Sequence, residues 1–248
     1  MKIVVADDYK ELSILTAKTL ASQIFLKPDS VLGLATGSTP TLVYRELIRM
    51  HEQDKLDFAH VVTFNLDEYL GIDPKNENSY HYYMQHNFFN EVNIPKDNIY
   101  IPDGQAEDID KECKDYEMSI CKHRGIDIQI LGIGQNGHIG FNEPDVEFEA
   151  ATHTVKLNEN TIKANARFFK DQNEVPKFAI SMGIKTIMNA KKILLLANGE
   201  TKVDAIYHMI NDGITSQVPA SILQLHPDVT VLIDEAAAER LDKHKIIV

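Results

Sequence analysis

The chain has 248 residues, of which 44% are hydrophobic, and this is enough apolar material to bury a large core. Its formal net charge of −12 argues against nucleic acid as the main partner, because a phosphate backbone requires a basic face. A membrane-spanning helix needs about 18 consecutive apolar residues, and no run in the sequence approaches this length. The first apolar run is also too short for a signal peptide. The sequence also contains no linker, low-complexity tract or repeat. We therefore expect a single domain over residues 1–248. Because both cysteines lie at helical spacing in one predicted helix, we expect no disulfide framework and a reduced, cytoplasmic setting.

Short apolar runs alternate with amphipathic, helix-like stretches from the N-terminal MKIVVA run onward. The later runs are typical of buried parallel strands, and they are Val31–Ala35, Val61–Phe64, Ile126–Leu131, Lys192–Ala197 and Val229–Ile233. The alternation predicts an α/β fold, a Rossmann-like and mostly parallel sheet with helices on both faces. Ligands bind such sheets beyond the carboxyl ends of the strands. We therefore expect the polar loops after the first four of these later strands to converge on one crevice.

The loop after the strand Val31–Ala35 reads TGSTP and leads directly into a helical pattern. Hydroxyl groups, a glycine and the free N–H groups of a first helical turn form a natural phosphate cradle. The same residues also suit an ordinary helix cap with proline just inside the helix. The candidate phosphate-binding residues here are Thr36, Gly37, Ser38 and Thr39. No Gly-Lys-Ser/Thr follows them, so this is not the P-loop of ATP-binding proteins.

Asp67 and Glu68 follow the end of the second strand, where a carboxylate can face the crevice and act as a base. The alternative for this pair is a solvated turn. The segment Asn78–Met84 then opens a helix with aromatic residues. His81 and His86 lack the spacing of a helical ligand pair, and no cysteine or carboxylate set completes a site, so we expect no metal.

The loop after Ile126–Leu131 is the most informative segment of the chain. It carries Asn136, His138 and Glu143 among several glycines, and a histidine beside a carboxylate suits proton transfer near neutral pH. The alternative is a buried structural histidine bonded to a backbone carbonyl. GIGQNG also matches the dinucleotide fingerprint by spacing, but a Rossmann turn leads straight into a helix, and this loop continues. We therefore favour a catalytic interpretation.

Two cationic side chains follow in helix-like contexts, Arg167 before a pair of phenylalanines and Lys202 after an Asn-Gly-Glu-Thr sequence. Each alone is typical of a surface charge. If both reach the TGSTP loop, they would supply the positive charge that phosphate recognition requires.

Taken together, these segments resemble the glucosamine-6-phosphate deaminases. The resemblance is carried in order along nearly the whole chain by Leu34–Pro40, Phe64–Gly71, Ser79–His81, Leu131–Pro144, Ala164–Phe169 and Leu223–Pro227. It implies conversion of glucosamine 6-phosphate and water to fructose 6-phosphate and ammonia, in amino-sugar catabolism. The implied partner is a small sugar phosphate, with no metal or organic cofactor. Whether the protein is a monomer or a homo-oligomer stays open.

The resemblance also implies a role for each candidate residue. His138 would act in opening the sugar ring, with Asn136 and Glu143 holding and tuning it. Asp67 would take the proton from C2 of the substrate and pass it to C1. The phosphate group would lie among Ser38, Thr39, Arg167 and Lys202.

The chain departs from some deaminases in two respects. Some members carry an aspartate where this chain has Asn136, so support for a charged His138 would fall to Glu143. Allosteric members resemble one another in basic residues soon after the Asn-Glu-Pro motif, and these bind an effector phosphate between subunits. The stretch Asp145–Val155 contains several acids and no Arg or Lys, so we expect no activation by N-acetylglucosamine 6-phosphate.

Two other functions compete with this interpretation. A 6-phosphogluconolactonase would share the phosphate loop and a glycine-rich histidine loop, but Asp67–Tyr69 and Phe141–Pro144 favour the deaminase. A non-catalytic sugar-phosphate sensor of the repressor type would need a DNA-binding helix-turn-helix segment. The acidic chain opens directly on a strand-like run, which argues against such a segment.

Overall fold

The computed structural model describes residues 1–166, 169, 171 and 174–242. In these residues the strands are β1 (Lys2–Ala6), β2 (Val31–Leu34), β3 (Val62–Asn65), β4 (Asp67–Tyr69), β5 (Ile99–Tyr100), β6 (Ile128–Gly132), β7 (His153–Lys156), β8 (Phe178–Ser181), β9 (Lys192–Ala197) and β10 (Val229–Asp234). A seven-stranded sheet has the order β1-β10-β9-β6-β2-β3-β5, and all of its neighbouring strands are parallel. This confirms the predicted mostly parallel α/β sheet.

Helices surround the sheet, as predicted. They are α1 (Tyr9–Leu26), α2 (Thr41–Asp54), α3 (Tyr80–Asn87), α4 (Ile109–Lys122), α5 (Glu159–Asn165), α6 (Ile184–Met188) and α7 (Val203–Asn211). Along the strand order, the connections through α1 and α2 step from the β1 edge towards the β5 edge. The connections through α4 and α7 step back towards the β1 edge. Because parallel crossovers are right-handed, these two pairs of helices cover opposite faces. In agreement, α1 and α2 pack against each other.

The predicted strands form in the structure because most of their residues are apolar and both faces of each strand are buried. Every residue of β2 and β3 is buried, and β9 and β10 are buried along nearly their whole length. The helical patterns also hold, since Val43, Leu47 and Met50 of α2 all face the core. Helix α3 begins after Ser79, whose side chain accepts a hydrogen bond from the N–H of Tyr82 and so caps the helix.

A second, antiparallel sheet of order β4-β8-β7 was not predicted from the sequence. We expected Asp67 and Glu68 to lie in a polar loop, but they lie in β4, where all three residues are buried. Strand β4 pairs with residues more than a hundred positions away in β8, in the register Asp67 with Ser181. A separate apolar cluster, which includes Tyr69 and Phe141, packs beside this small sheet.

Among the described residues, no helix is both long and apolar enough to cross a membrane. Cys113 is buried and Cys121 is exposed on helix α4, and both are free thiols.

Candidate active site

Hydrogen bonds tie together the loops that follow the carboxyl ends of the strands, as the topology predicts. Thr39 Oγ1, after β2, donates to Asn198 Oδ1, after β9, at 2.9 Å. Lys202 Nζ donates to the carbonyl of Ile133, after β6, at 2.7 Å. The N–H of Phe141, later in the same loop, donates to Ser181 Oγ of the small sheet at 3.0 Å. The polar loops therefore meet at one edge of the main sheet.

The structure brings Asn136, His138 and Glu143 into direct contact. His138 Nδ1 lies 2.7 Å from Asn136 Oδ1 and 3.3 Å from Glu143 Oε2. Asn136 Nδ2 donates to Glu143 Oε2 at 2.8 Å. Because both neighbours of His138 Nδ1 are acceptors, Nδ1 carries the proton in the neutral ring, and Nε2 is the nitrogen available to a substrate.

Glu143 is held by residues that precede and open helix α5. Asn158 caps this helix by accepting from the N–H of Thr161, and its Nδ2 donates to Glu143 Oε2 at 2.6 Å. Thr161 Oγ1 donates to Glu143 Oε1. Burial alone would raise the pKa of Glu143, but the hydrogen bonds from His138, Thr161 and Asn136 outweigh it and lower that pKa below its ordinary value. Glu143 is therefore an anion beside the His138 ring.

Gly134 in this loop leaves space for the His138 ring. A β-carbon on Gly134 would lie only 2.2 Å from Cε1 of the His138 ring, so the ring occupies the space that any side chain would fill. No helix follows β6 directly, because the loop continues to strand β7. This geometry differs from a dinucleotide-binding turn, which leads into a helix whose N-terminus meets the pyrophosphate.

Asp67 is buried, with 7% of its surface exposed, and it lies against the same loop. A β-carbon placed on Gly140, where φ is +58°, would be 3.6 Å from Asp67 Oδ2. Within the part of the chain that the structure describes, the Asp67 carboxyl makes no hydrogen bond. Burial, together with the adjacent Glu68, raises the pKa of Asp67 from 3.8 to about 8. This carboxyl is thus a stronger base than an ordinary aspartate.

The backbone of the TGSTP loop has N–H groups without acceptors among the described residues, and carbonyls held by distant tyrosines. The N–H groups of residues 36–39 donate to no acceptor in the described part of the chain, and Gly37 has a φ of +103°. The carbonyls are held from outside. Tyr9 Oη lies 2.7 Å and 3.0 Å from the Ser38 and Thr39 carbonyls, and Tyr83 Oη donates to the Gly37 carbonyl at 2.6 Å. Unpaired N–H groups of this kind suit a phosphate.

Of the two predicted cations, Lys202 lies at this edge of the sheet, where it contacts Ile133 in the loop that carries His138. Arg167 lies outside the described residues.

Among the described residues, no cluster of three or more His, Cys, Asp or Glu side chains is arranged to hold a metal ion.

Comparison with known proteins agrees with the fold and identifies the family. Residues 9–232 match the family of glucosamine-6-phosphate isomerases and 6-phosphogluconolactonases. The chain belongs to this family. It is 61% identical to a glucosamine-6-phosphate deaminase of Clostridium acetobutylicum, over 97% of this chain and 100% of the relative. It is 58% identical to a glucosamine-6-phosphate deaminase of Clostridium botulinum strain Kyoto, over 98% of this chain and 99% of the relative.

Solved structures of the isomerase/lactonase family share the fold. A monomeric glucosamine-6-phosphate deaminase superimposes with a TM-score of 0.95 at 48% identity, and the alignment covers 96% of this chain and 99% of the other. A 6-phosphogluconolactonase from Trypanosoma cruzi has a TM-score of 0.78 at 22% identity, with 97% and 96% covered. At that identity the likeness concerns the fold alone.

Sequence reasoning missed several residues that shape the site of this family member. Asn158 had a detectable signal, since an asparagine directly before a helical stretch suits a helix N-cap, but nothing local connects it to Glu143. Tyr9 and Tyr83 lie 29 and 46 residues from the carbonyls they hold, and each reads locally as an ordinary helix residue.

Proposed function

We propose that this chain is a glucosamine-6-phosphate deaminase, which converts glucosamine 6-phosphate and water to fructose 6-phosphate and ammonia. The carrying observation is the buried Asp67 carboxyl, raised in basicity and facing the loop that holds the Asn136–His138–Glu143 trio. Ring opening needs a proton shuttle, and isomerisation needs a positioned base for a carbon-bound proton. The site places both kinds of group at one sheet edge. The deaminase relatives at 58–61% identity support the same reaction.

The first step is opening of the pyranose ring at C1. His138 Nε2 takes the proton of the C1 hydroxyl and returns a proton to the ring oxygen as the C1–O5 bond breaks. Asn136 and the anionic Glu143 hold the imidazole ring of His138 at Nδ1, and they stabilise the charged imidazole while it carries the extra proton. The products of this step are the open-chain aldehyde and the neutral imidazole.

The second step moves a proton from C2 to C1. Asp67 removes the C2 proton, the electron pair forms the C1–C2 double bond of an enolamine, and the aldehyde oxygen takes a proton from solvent. A proton returns to solvent when water later adds to C2. Asp67 then returns its proton to C1, which leaves an iminium group at C2. Water adds to C2, and the carbinolamine releases ammonia to give the ketose. A carboxyl with a pKa of about 8 suits this task, because the best general bases have pKa values near the working pH.

The phosphate group anchors the substrate at the TGSTP loop. The N–H groups of residues 36–39, which donate to no acceptor among the residues that the structure describes, support this role, and Ser38 and Thr39 add hydroxyl groups. By the family resemblance, Arg167 and Lys202 complete the anion site. Binding energy from this remote group orients the reacting carbons over Asp67.

The alternative within the family is hydrolysis of 6-phosphogluconolactone. Lactone hydrolysis removes no carbon-bound proton and needs one base to activate water, a task for which His138 would suffice. The isomerisation needs a further base for the C2 proton, so the presence of the buried Asp67 carboxyl beside the His138 loop favours the deaminase.

The test is ammonia release from glucosamine 6-phosphate by the purified protein and by Asp67→Asn. We expect turnover by the parent and a loss of at least about 1,000-fold in the variant, because the base is removed and its shape is kept. Asp29→Asn, the same change at an exposed aspartate, is the matched control and should keep parental activity. Turnover of 6-phosphogluconolactone by a parent that releases no ammonia would contradict the proposal.

We further propose that the enzyme is a monomer without activation by N-acetylglucosamine 6-phosphate. The structure that matches with a TM-score of 0.95 is that of a monomeric deaminase. Asp145, Glu147 and Glu149 are exposed in the stretch where allosteric members are expected to carry basic residues, and such a surface repels an anionic effector.

A further inference from the structure

The loop that carries His138 and the strand that carries Asp67 are joined through the end of strand β8. Strand β8 pairs with β4 in the register Asp67 with Ser181. The N–H of Met182, the next residue, donates to the Leu66 carbonyl at 2.7 Å. Among the described residues, no hydrogen bond runs directly from the His138 loop to β4. The position of this loop relative to Asp67 therefore depends on its hydrogen bonds to Ser181 and Met182.

Ser181 makes the first of these connections, and it is fully buried. Its Oγ accepts from the N–H of Phe141 in the loop at 3.0 Å and donates to the Met182 carbonyl at 3.3 Å. Because Asp67 and Ser181 are directly paired, their side chains leave the same face of the small sheet. Ser181 thus holds the loop on the face where the candidate base lies.

Asn142 makes the second connection from within the loop, and only 6% of its surface is exposed. Its Nδ2 donates to the Ile139 carbonyl at 2.8 Å and to the Met182 carbonyl at 2.9 Å. Because both partners are carbonyl oxygens, the amide must turn its nitrogen towards them, and this fixes its orientation. One buried amide group therefore binds both the residue next to His138 and the end of β8.

Gly140 shows how closely the loop approaches the base. A β-carbon at this position, where φ is +58°, would lie 3.0 Å from Ser181 Oγ, 3.4 Å from Asn142 Nδ2 and 3.6 Å from Asp67 Oδ2. Polar atoms of the loop and of both strands thus surround one point. The close approach requires glycine here, because a side chain would occupy that point and because φ is positive.

We propose that Ser181 and Asn142 are positioning residues that set the separation between His138 and Asp67. In the proposed deaminase reaction, on which this inference rests, His138 acts at C1 of the substrate and Asp67 acts at C2. These two carbons are bonded to each other, so both protein groups must reach neighbouring atoms of one substrate. A displacement of about 1 Å between such groups can lower the rate about 100-fold. Ser181 and Asn142 act through His138 and Asp67 and need no contact with the substrate.

The first test compares Ser181→Ala with the parent in steady-state ammonia assays. We expect kcat to fall by about 10- to 100-fold while KM stays within about twofold, because the phosphate loop is untouched. Ser30→Ala is the matched control and should keep the parental kcat. Ser30 is also fully buried, and its Oγ accepts from Gln23 Nε2 and donates to the Lys27 carbonyl. It precedes β2 and so lies at the opposite edge of the main sheet.

The isotope effect on kcat, measured with substrate deuterated at C2, identifies the step that is slowed. A misplaced Asp67 slows removal of the C2 proton, so the isotope effect should be larger in Ser181→Ala than in the parent or in Ser30→Ala. A protein that has only lost stability would keep the parental isotope effect. Equal isotope effects, or a kcat equal to that of Ser30→Ala, would overturn the proposal. If Ser181→Ala does not fold, Asn142→Ala carries the same test.

Exchange of the Phe141 N–H with solvent, followed by NMR in the ligand-free protein, needs no turnover. We expect this exchange to be at least about tenfold faster in Ser181→Ala than in the parent, and unchanged in Ser30→Ala. If the parent releases no ammonia, the proposed function fails, and faster exchange would still show that Ser181 holds the loop beside Asp67. An exchange rate in Ser181→Ala equal to that of the parent would count against the inference, whatever the activity.

Discussion

Replacing Asp67 with asparagine is expected to stabilise the protein increasingly, relative to the parent, as the pH rises, while it destroys the proposed base. Burial, with the help of Glu68, raises the pKa of this carboxyl from 3.8 to about 8. Between these two values the folded protein holds a proton that the unfolded chain has released. Stability contributed by the protonated form is therefore complete below about 3.8 and is lost as the pH rises towards 8. Asparagine is neutral throughout and escapes this loss.

The size of the effect follows from the same values. Each pH unit of proton imbalance changes the free energy of unfolding by about 1.4 kcal/mol, so the interval from pH 5 to pH 8 is worth up to about 4 kcal/mol. The free energy of unfolding from urea titrations at pH 5, 6.5 and 8 measures it. The stability difference between Asp67→Asn and the parent should grow in favour of the variant as the pH rises.

This prediction is decided by how the stability difference between Asp67→Asn and the parent changes with pH, and not by its value at any one pH. Asparagine brings N–H donors that lack partners in the ligand-free site, and this penalty of about 1–3 kcal/mol is the same at every pH. Asp29→Asn, at an exposed position, should show no slope relative to the parent. A stability difference between Asp67→Asn and the parent that does not change from pH 5 to pH 8 would refute the reasoning.

Three further predictions concern the loops and regulation. Gly134→Ala should lower kcat by at least about 100-fold, because the new methyl group displaces the His138 ring. Gly213→Ala is the control and should leave kcat unchanged, because a β-carbon there meets no atom within 4 Å. Equal rates for the two variants in steady-state ammonia assays would contradict the steric argument. Tyr83→Phe should raise KM about fivefold with little change in kcat, since it frees the Gly37 carbonyl and loosens the phosphate loop; an unaltered KM would remove Tyr83 from that role. Substrate saturation should be hyperbolic and unaffected by N-acetylglucosamine 6-phosphate, and a clear drop in apparent KM would disprove this.

Most of the main sheet was predictable because its inner strands are buried on both faces, whereas the two-residue edge strand β5 is only half-buried and was not predicted. A strand such as β9 (KILLLA) has nowhere to place a polar residue, so its sequence alone identifies it. Strand β4 (DEY) reads locally as a polar turn, yet all of its residues are buried. Its conformation depends on pairing with β8, and a local pattern carries no record of a partner so far away.

The candidate site divides in the same way. Asn136, His138 and Glu143 lie within eight residues, so their spacing in a glycine-rich loop was enough to group them. The sequence by itself also indicated the TGSTP loop as a candidate anion site, because hydroxyl groups and the free N–H groups of a first helical turn are local properties.

Only the tertiary structure decided how these groups are tuned. The proton affinity of Asp67 depends on its burial in the second sheet and on Glu68, the charge of Glu143 depends on Thr161 as well as on its own loop, and Glu68 meets His81 thirteen residues away. Charges interact through space and through the solvent that the fold excludes, and neither distance nor dielectric is written in the order of the residues.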